Sequence, residues 1–278
     1  MIKITDRVFV ETKYVGANVG CVITEQGPVI IDTPMLPEEA DDLRAQIGTI
    51  SDLDISYILY THQHSDHIIG STFLPGCVIA HEKAISGLRY LETNLGKDIQ
   101  LIMPDLYAER SAIFDNRKIV MPQITFDREL GLHLGGKTIK LKFTGGHSSA
   151  SIIIHVVEDR VVFAGDNLLR DLPTTANGRF GSWIATLHLL EEMDVDAIIP
   201  GHGEPSGSGK EDVRNLLTYF ETMRDRVGRL AAAGAAREEV LKKVDMTDCL
   251  FVPPSDTANK KVAFDIGRMY DQLHQGFV

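Results

Sequence analysis

Residues 61–67 read Thr-His-Gln-His-Ser-Asp-His, and this heptapeptide limits what the chain can become. His62, His64, Asp66 and His67 fall within six residues, directly after the apolar run Ile55-Ser-Tyr-Ile-Leu-Tyr60. That run reads as a buried strand, which puts the cluster in the loop at its carboxyl end. His62 and His64 alternate, so in an extended turn their rings point the same way, while Asp66 and His67 face a neighbouring point at the next bend. Neutral imidazole and carboxylate are the donors that zinc and similar divalent cations prefer. Burying so many of them in one loop without a cation would be costly. The loop reads as half of a two-metal site.

The rest of the chain narrows the setting. It has 278 residues, 44% of them hydrophobic, enough for one sizeable core with an appended piece. A formal charge of −11 argues against nucleic acid as partner, since phosphate binding needs a basic face. It only weakly disfavours an anionic substrate, because bound metal reverses the local field. Cys21, Cys77 and Cys249 are widely scattered and read as small buried hydrophobes in a reducing compartment rather than as a disulfide framework. Strand-like residues Ile2 to Val10 begin at once, without a signal-peptide pattern, and no apolar stretch approaches membrane-spanning length. A cytoplasmic protein with a small-molecule substrate and no membrane partner is expected.

Strand and helix signals alternate through the first third. Val8–Val10, Val19–Thr24, Pro28–Asp32 and Cys77–His81 read as strands; Pro37–Ile47 and Glu82–Leu95 read as helices. Residues 96–130, with Pro104, Pro122 and several aromatics, read as a surface helical excursion or as a lid over the histidine loop. Lys137–Phe143, Ser151–Val157 and Arg160–Ala164 are strands. A helix over 182–193, with Ser182 as N-cap, leads into strand Asp196–Pro200. Residues 209–278 are a helical C-terminal part, with further helices over 235–245 and 258–274. Val213, Leu216, Leu217, Phe220, Met223, Val227 and Leu230 form a stripe whose first reading is core-facing and whose second is a homodimer surface.

Three more donors stand at strand ends beside glycines: His147 after Thr144-Gly-Gly, Asp166 after Val161-Val-Phe-Ala-Gly, and His202 after Ile198-Ile-Pro-Gly. Glycine lets backbone approach a crowded centre, and converging strand ends are where open α/β sheets bind ligands. Together, Thr61-His-Gln-His-Ser-Asp-His67, Gly146-His147-Ser-Ser, Ala164-Gly-Asp166-Asn and Pro200-Gly-His202-Gly resemble the metallo-β-lactamase superfamily, in its branch near glyoxalase II and the glyoxalase-like hydrolases. The resemblance implies an α/β fold: one domain over 1–278, a four-layer αβ/βα sandwich with the metals at its edge. It implies that His62, His64 and His147 hold one metal and Asp66, His67 and His202 a second, with Asp166 bridging. Two Zn²⁺ are the implied cofactors, with iron or manganese as alternatives. A hydroxide between the metals would attack the substrate, and Asp66 is also placed to orient it or relay a proton. His81, His133, His155, His188 and His274 read as ordinary core or surface residues.

The substrate is less defined. Glyoxalase II carries a further histidine where this chain has Ser151, and a glycine- and cysteine-rich segment where this chain has residues 167–180. These departures speak against glutathione thioesters. An ester, thioester, lactone or lactam carbonyl is the expected target; the alternatives are an iron oxidoreductase of the persulfide dioxygenase type and a phosphodiester hydrolase. A metal-binding protein without turnover is a third, weaker class. Tyr14, Asn18, Tyr107, Arg110, Arg170 and Trp183 are candidate pocket residues, for each of which ordinary packing is an equal reading.

Overall fold

The computed structural model describes residues 1–173 and 177–278. Its strands are β1 (Ile2–Lys3), β2 (Val8–Glu11), β3 (Val19–Val22), β4 (Val29–Ile31), β5 (Tyr57–Leu59), β6 (Cys77–His81), β7 (Ile124–Phe126), β8 (Glu129–Leu134), β9 (Lys137–Phe143), β10 (Ile152–Val156), β11 (Val161–Gly165) and β12 (Ala197–Pro200). Its helices are α1 (Pro37–Gly48), α2 (Ser65–Ile68), α3 (Ala84–Ile102), α4 (Pro104–Asp115), α5 (Phe180–Glu192), α6 (Lys210–Ala232), α7 (Arg237–Lys243) and α8 (Asp256–His274).

The strands form a seven-stranded sheet in the order β1 to β7 and a five-stranded sheet in the order β12-β11-β10-β9-β8. Side-chain alternation decides how they stack. Val22, Ile31, Leu59 and Ile79 meet Ile139, Ile152, Ile154 and Phe163 in one apolar layer between the sheets. Cys21, Ile30, Ile58 and Val78, on the opposite face, are covered by Leu43 of α1 and by Leu88, Leu91 and Ile99 of α3. Ile153, Val162 and Ile198 face α5, α6 and α8. The result is the expected four-layer αβ/βα sandwich, in which β4, β5, β6, β11 and β12 are buried along nearly their whole length and so read as continuous apolar runs.

The order of connections brings the site together. β4, β5, β6 and β7 pair in parallel, as do β11 and β12, so crossover helices return each strand in the same direction. The carboxyl ends of β5, β11 and β12 therefore open toward one edge. A register shift between Phe163 and Gly165 bends β11 where it approaches Pro200, just before Asp166.

Several expected elements move. α5 begins at Phe180 with Arg179 as N-cap, so Ser182 lies inside the helix rather than capping it. Gln272 on α8 sets that start: its Oε1 accepts from Phe180 N at 2.9 Å, and its Nε2 donates to the Gly178 carbonyl at 2.8 Å. α3 runs seven residues past Leu95, ending before Pro104. Residues 96–130 are not a separate excursion throughout. They comprise the end of α3, α4, the β7 edge of the first sheet and the start of β8 in the second. The stripe on α6 is buried against α5 and α8, so it is core and not an open face. Among the described residues no helix is long and apolar enough to cross a membrane, and Cys21, Cys77 and Cys249 are unpaired.

One buried acid in the helical layer carries a stability prediction. Asp265 on α8 is 1% exposed, and its Oδ2 accepts from the Tyr219 hydroxyl at 3.1 Å. Burial pushes its pKa up to about 8, against the opposing pull of Tyr219, Lys261 and Arg268. A carboxyl raised on folding binds its proton more tightly in the folded chain, so stability falls as pH rises from the unfolded value toward 8. Asp265→Asn, which mimics the neutral acid, is expected to be the more stable protein, with its advantage growing by roughly 1 kcal/mol per pH unit over that window. Urea unfolding at pH 5 and pH 8 reads the difference; equal gaps at both would show that Asp265 is ionised throughout.

Candidate metal centre

All seven candidate donors converge. Among the described residues, one donor atom each from His62, His64, His147 and Asp166 lies within 4.8 Å of the others, and a second such group joins Asp66, His67 and His202. Asp166 stands between them. Its Oδ2 is 3.3 Å from His147 Nε2 and 3.9 Å from His62 Nε2, while its Oδ1 is 3.2 Å from His67 Nε2 and 3.4 Å from His202 Nε2. Asp66 Oδ2 is 3.3 Å from His202 Nε2. His64 offers Nδ1, 3.0 Å from His147 Nε2.

Local structure aims these rings. Tight turns follow β5, and α2 starts at Ser65, so Asp66 and His67 project from its first turn. Gly201 allows β12 to end against Asp166: a Cβ there would lie 1.9 Å from Asp166 Oδ1. Gly146 adopts φ +103°, and a Cβ on it would meet Asn167 Oδ1 at 2.4 Å. That same amide oxygen accepts from His147 N at 2.9 Å, so Asn167 ties the His147 loop to the Asp166 loop. Trp183 Nε1 in turn donates to the Asn167 carbonyl at 2.9 Å. Asn18 Nδ2 donates to the carbonyls of Pro200 at 2.9 Å and Gly203 at 2.6 Å, holding the turn that carries His202.

Sequence reasoning missed the residue that organises the centre. Asp32, at the end of β4 with φ +57° and 2% exposed, accepts from Thr61 N at 2.8 Å and from Thr61 Oγ1 at 2.7 Å. Its Oδ2 also accepts from His67 Nδ1 at 2.7 Å. With its proton given to Asp32, Thr61 Oγ1 is left to accept from His62 Nδ1 at 3.1 Å. His202 Nδ1 donates to the Gly16 carbonyl at 3.0 Å. With the rings neutral, as metal ligands must be, these bonds place the protons of His62, His67 and His202 on Nδ1 and turn the Nε2 lone pairs inward, the arrangement that metal-ligating imidazoles use. The only signal in the sequence was an acid closing an apolar strand.

The electrostatics match a cation. Burial lowers His62 well below the ordinary imidazole value, helped by His67 and His64, and lowers His147 to about 3 against the pull of Asp166. Burial acts to lower His67 and His202 too, but the carboxylates outweigh it: Asp166, Asp32 and Asp66 hold His67 well above the ordinary value, and Asp166 and Asp66 bring His202 to about 10. Burial would raise Asp66 and Asp166, yet His67 and His202 hold Asp66 at about 2, and those two with His147 hold Asp166 well below the carboxylate range. Buried His62 Nε2, His67 Nε2 and Asp166 Oδ1 have no hydrogen-bond partner among the described residues. Buried polar atoms without partners are costly; a cation among His62, His64 and His147 would satisfy His62 Nε2, and one among Asp66, His67 and His202 would satisfy His67 Nε2 and Asp166 Oδ1.

The other candidates separate cleanly. His81 stacks on Phe143 at 3.9 Å and bonds the Asp127 carbonyl, and His188 pairs with Glu221, both as structural residues. Tyr14 bonds Asp42, Tyr107 bonds Asp115 and Arg110 pairs with Glu38, none of them a donor of the cluster. Arg170 lines a cavity of about 420 Å³ beside His202. Ser151 is buried beneath the His147 loop, where its Oγ accepts from Ser148 N at 3.0 Å. Of the segment 167–180, residues 174–176 lie outside the described residues.

A double sandwich with clustered His and Asp donors at its open edge defines a class of metallo-enzyme fold. The chain belongs to the metallo-β-lactamase superfamily, whose family model matches residues 13–202. It is 24% identical over 260 residues to a linear primary-alkylsulfatase of Pseudomonas sp., covering 80% of this chain and 48% of that one. It is 27% identical over 224 residues to the atrochrysone carboxyl ACP thioesterase of Aspergillus terreus, covering 81% and 61%. The chain thus spans about half the length of the first relative and three-fifths of the second. The sec-alkylsulfatase Pisa1 from Pseudomonas sp. superposes with a TM-score of 0.76 at 16% identity, covering 100% of this chain and 50% of that one. A metallo-β-lactamase family protein of Thermus thermophilus superposes with a TM-score of 0.67 at 17% identity over 99% of this chain and 95% of that one. The structural likenesses establish the fold. By name these relatives are alkylsulfatases, a thioesterase and a metallo-β-lactamase family protein rather than glyoxalases.

Proposed function

We propose that the chain is a dinuclear metal-dependent hydrolase acting on the carbonyl of a small ester, thioester, lactone or lactam. The observation that carries the reading is Asp166, whose two carboxylate oxygens face two separate donor groups. His62, His64 and His147 would hold one cation, Asp66, His67 and His202 the other, and Asp166 would bridge them. Cations bound there supply a water acidic enough to ionise near neutral pH and a Lewis acid for the substrate oxygen. The Asp32 hydrogen bonds keep His67 and, through Thr61, His62 in one tautomer and orientation, so the centre does not have to reorganise as charge develops. Asp66 stays ionised at neutral pH, which suits it to orient the nucleophile and accept a proton.

Zinc fits this nitrogen–oxygen set, and iron and manganese fit it as well. Names of relatives point to sulfate esters and thioesters as neighbouring chemistries. The site opens into a cavity of about 410 Å³, a size suited to a small molecule. Metal-analysed protein run on ester, thioester, lactone, lactam, alkyl sulfate and phosphodiester substrates tests the reading. Chelator-sensitive cleavage of a carbonyl substrate is expected. Oxygen consumption on glutathione persulfide by an iron-loaded protein would choose the oxidoreductase instead.

A further inference from the structure

We propose that the substrate carries an extended, uncharged apolar arm that lies along α3 beside the metal cluster, selected by Tyr90, Leu91 and Ile102. This rests on the hydrolase reading for its reacting end but not for the arm itself. The cavity of about 410 Å³ has two unlike walls. His64, Asp66, His147 and Asp166 form one; the other is one face of α3, where Gly87, Leu91, Asp98 and Ile102 recur at helical spacing. Gly87 lets this face come close, since a Cβ there would lie 2.4 Å from Gln63 Cγ on the histidine loop. From Leu91 to Ile102 the wall is roughly 16 Å long at the α-helical rise.

That wall is apolar where a core would not require it. Tyr90 is 58% exposed and Ile102 47% exposed, beside the cavity rather than beneath another element. Large apolar side chains left open along a cleft mark a surface that an apolar ligand covers. Charge sets the second half of the specificity. The described lining residues include no lysine or arginine, and Asp98, whose Oδ2 accepts from Ser65 Oγ at 2.5 Å, places a carboxylate midway along the wall. An arm whose far end, away from the donor cluster, carries an anion would meet that carboxylate with no lysine or arginine among the described lining residues to offset it. The cavity beside His202 is different in kind: it holds Arg170 and Lys261, paired with Asp212 and Asp171.

Calorimetry on the metal-loaded protein tests this without turnover, using butanamide, octanamide and the ω-carboxylate analogue of octanamide. Octanamide is expected to bind at least about tenfold more tightly than butanamide, four methylenes being enough for that when only partly buried. The ω-carboxylate analogue is expected to lose at least about tenfold against octanamide. Ile102→Asp should bring octanamide to the butanamide level, and Ile102→Leu should restore the preference. Equal affinity for the two amides, equal affinity for the charged analogue, or an Ile102→Asp variant that binds octanamide like the parent would each overturn the proposal. A chain-length preference without hydrolysis of any ester would leave the arm in place and remove the hydrolase reading; hydrolysis without the preference would do the reverse.

Discussion

Asp166→Ala is expected to bind fewer than two metal ions per chain and to lose at least about a thousandfold in kcat/KM, several kcal/mol of transition-state stabilisation. The size follows from the position of the side chain. Asp166 reaches both donor clusters, 3.3 Å from His147 on one side and 3.2 Å from His67 on the other. Its removal leaves two groups of imidazoles facing each other with no anion between them. Asp166→Asn keeps the shape but removes the charge, and should fall nearly as far. Elemental analysis beside steady-state kinetics reads both consequences. An alanine variant that matched the parent would mean that the activity arises elsewhere.

The second large effect is expected at Asp32, which touches no substrate. Asp32→Asn should lower metal affinity and kcat/KM by about 10- to 100-fold, the usual scale for a partner that orients a metal-binding imidazole. Asparagine tolerates the left-handed backbone at this position, φ +57°, so the loss would report the hydrogen bonds and not backbone strain. Asp32→Ala would also strand three buried donors, Thr61 N, Thr61 Oγ1 and His67 Nδ1, and is expected to destabilise the protein by about 3–5 kcal/mol. Metal titration separates the two variants from simple unfolding: Asp32→Asn should remain folded and bind metal again at higher concentration. Unchanged affinity in Asp32→Asn would show that His67 is held by packing alone.

What could be read from the sequence was whatever the chain concentrates locally. His62, His64, Asp66 and His67 announce themselves because one loop supplies them all, and His147, Asp166 and His202 because glycines flank each one at a strand end. Asp32 was silent for the opposite reason. It gains its partners only because Ile31 pairs with Leu59 in a parallel register, which sets the end of β4 against Thr61. Read from sequence, α3 ends at Leu95, whereas the helix continues through Gly96 to Ile102. A Cβ on Gly96 would lie 2.2 Å from Asp115 Oδ1, so the glycine serves close packing against α4. Ser182 looked like an N-cap because serine favours that position. The start of α5 is instead fixed from α8, by Gln272, a contact 92 residues away along the chain.

Anomalous X-ray diffraction from zinc-loaded crystals would show whether the seven side chains hold two metal ions about Asp166. Two peaks about 3.5–4 Å apart are predicted, one beside His62, His64 and His147 and the other beside Asp66, His67 and His202, with Asp166 between them. A single peak, or two that leave either histidine group without metal, would contradict this arrangement.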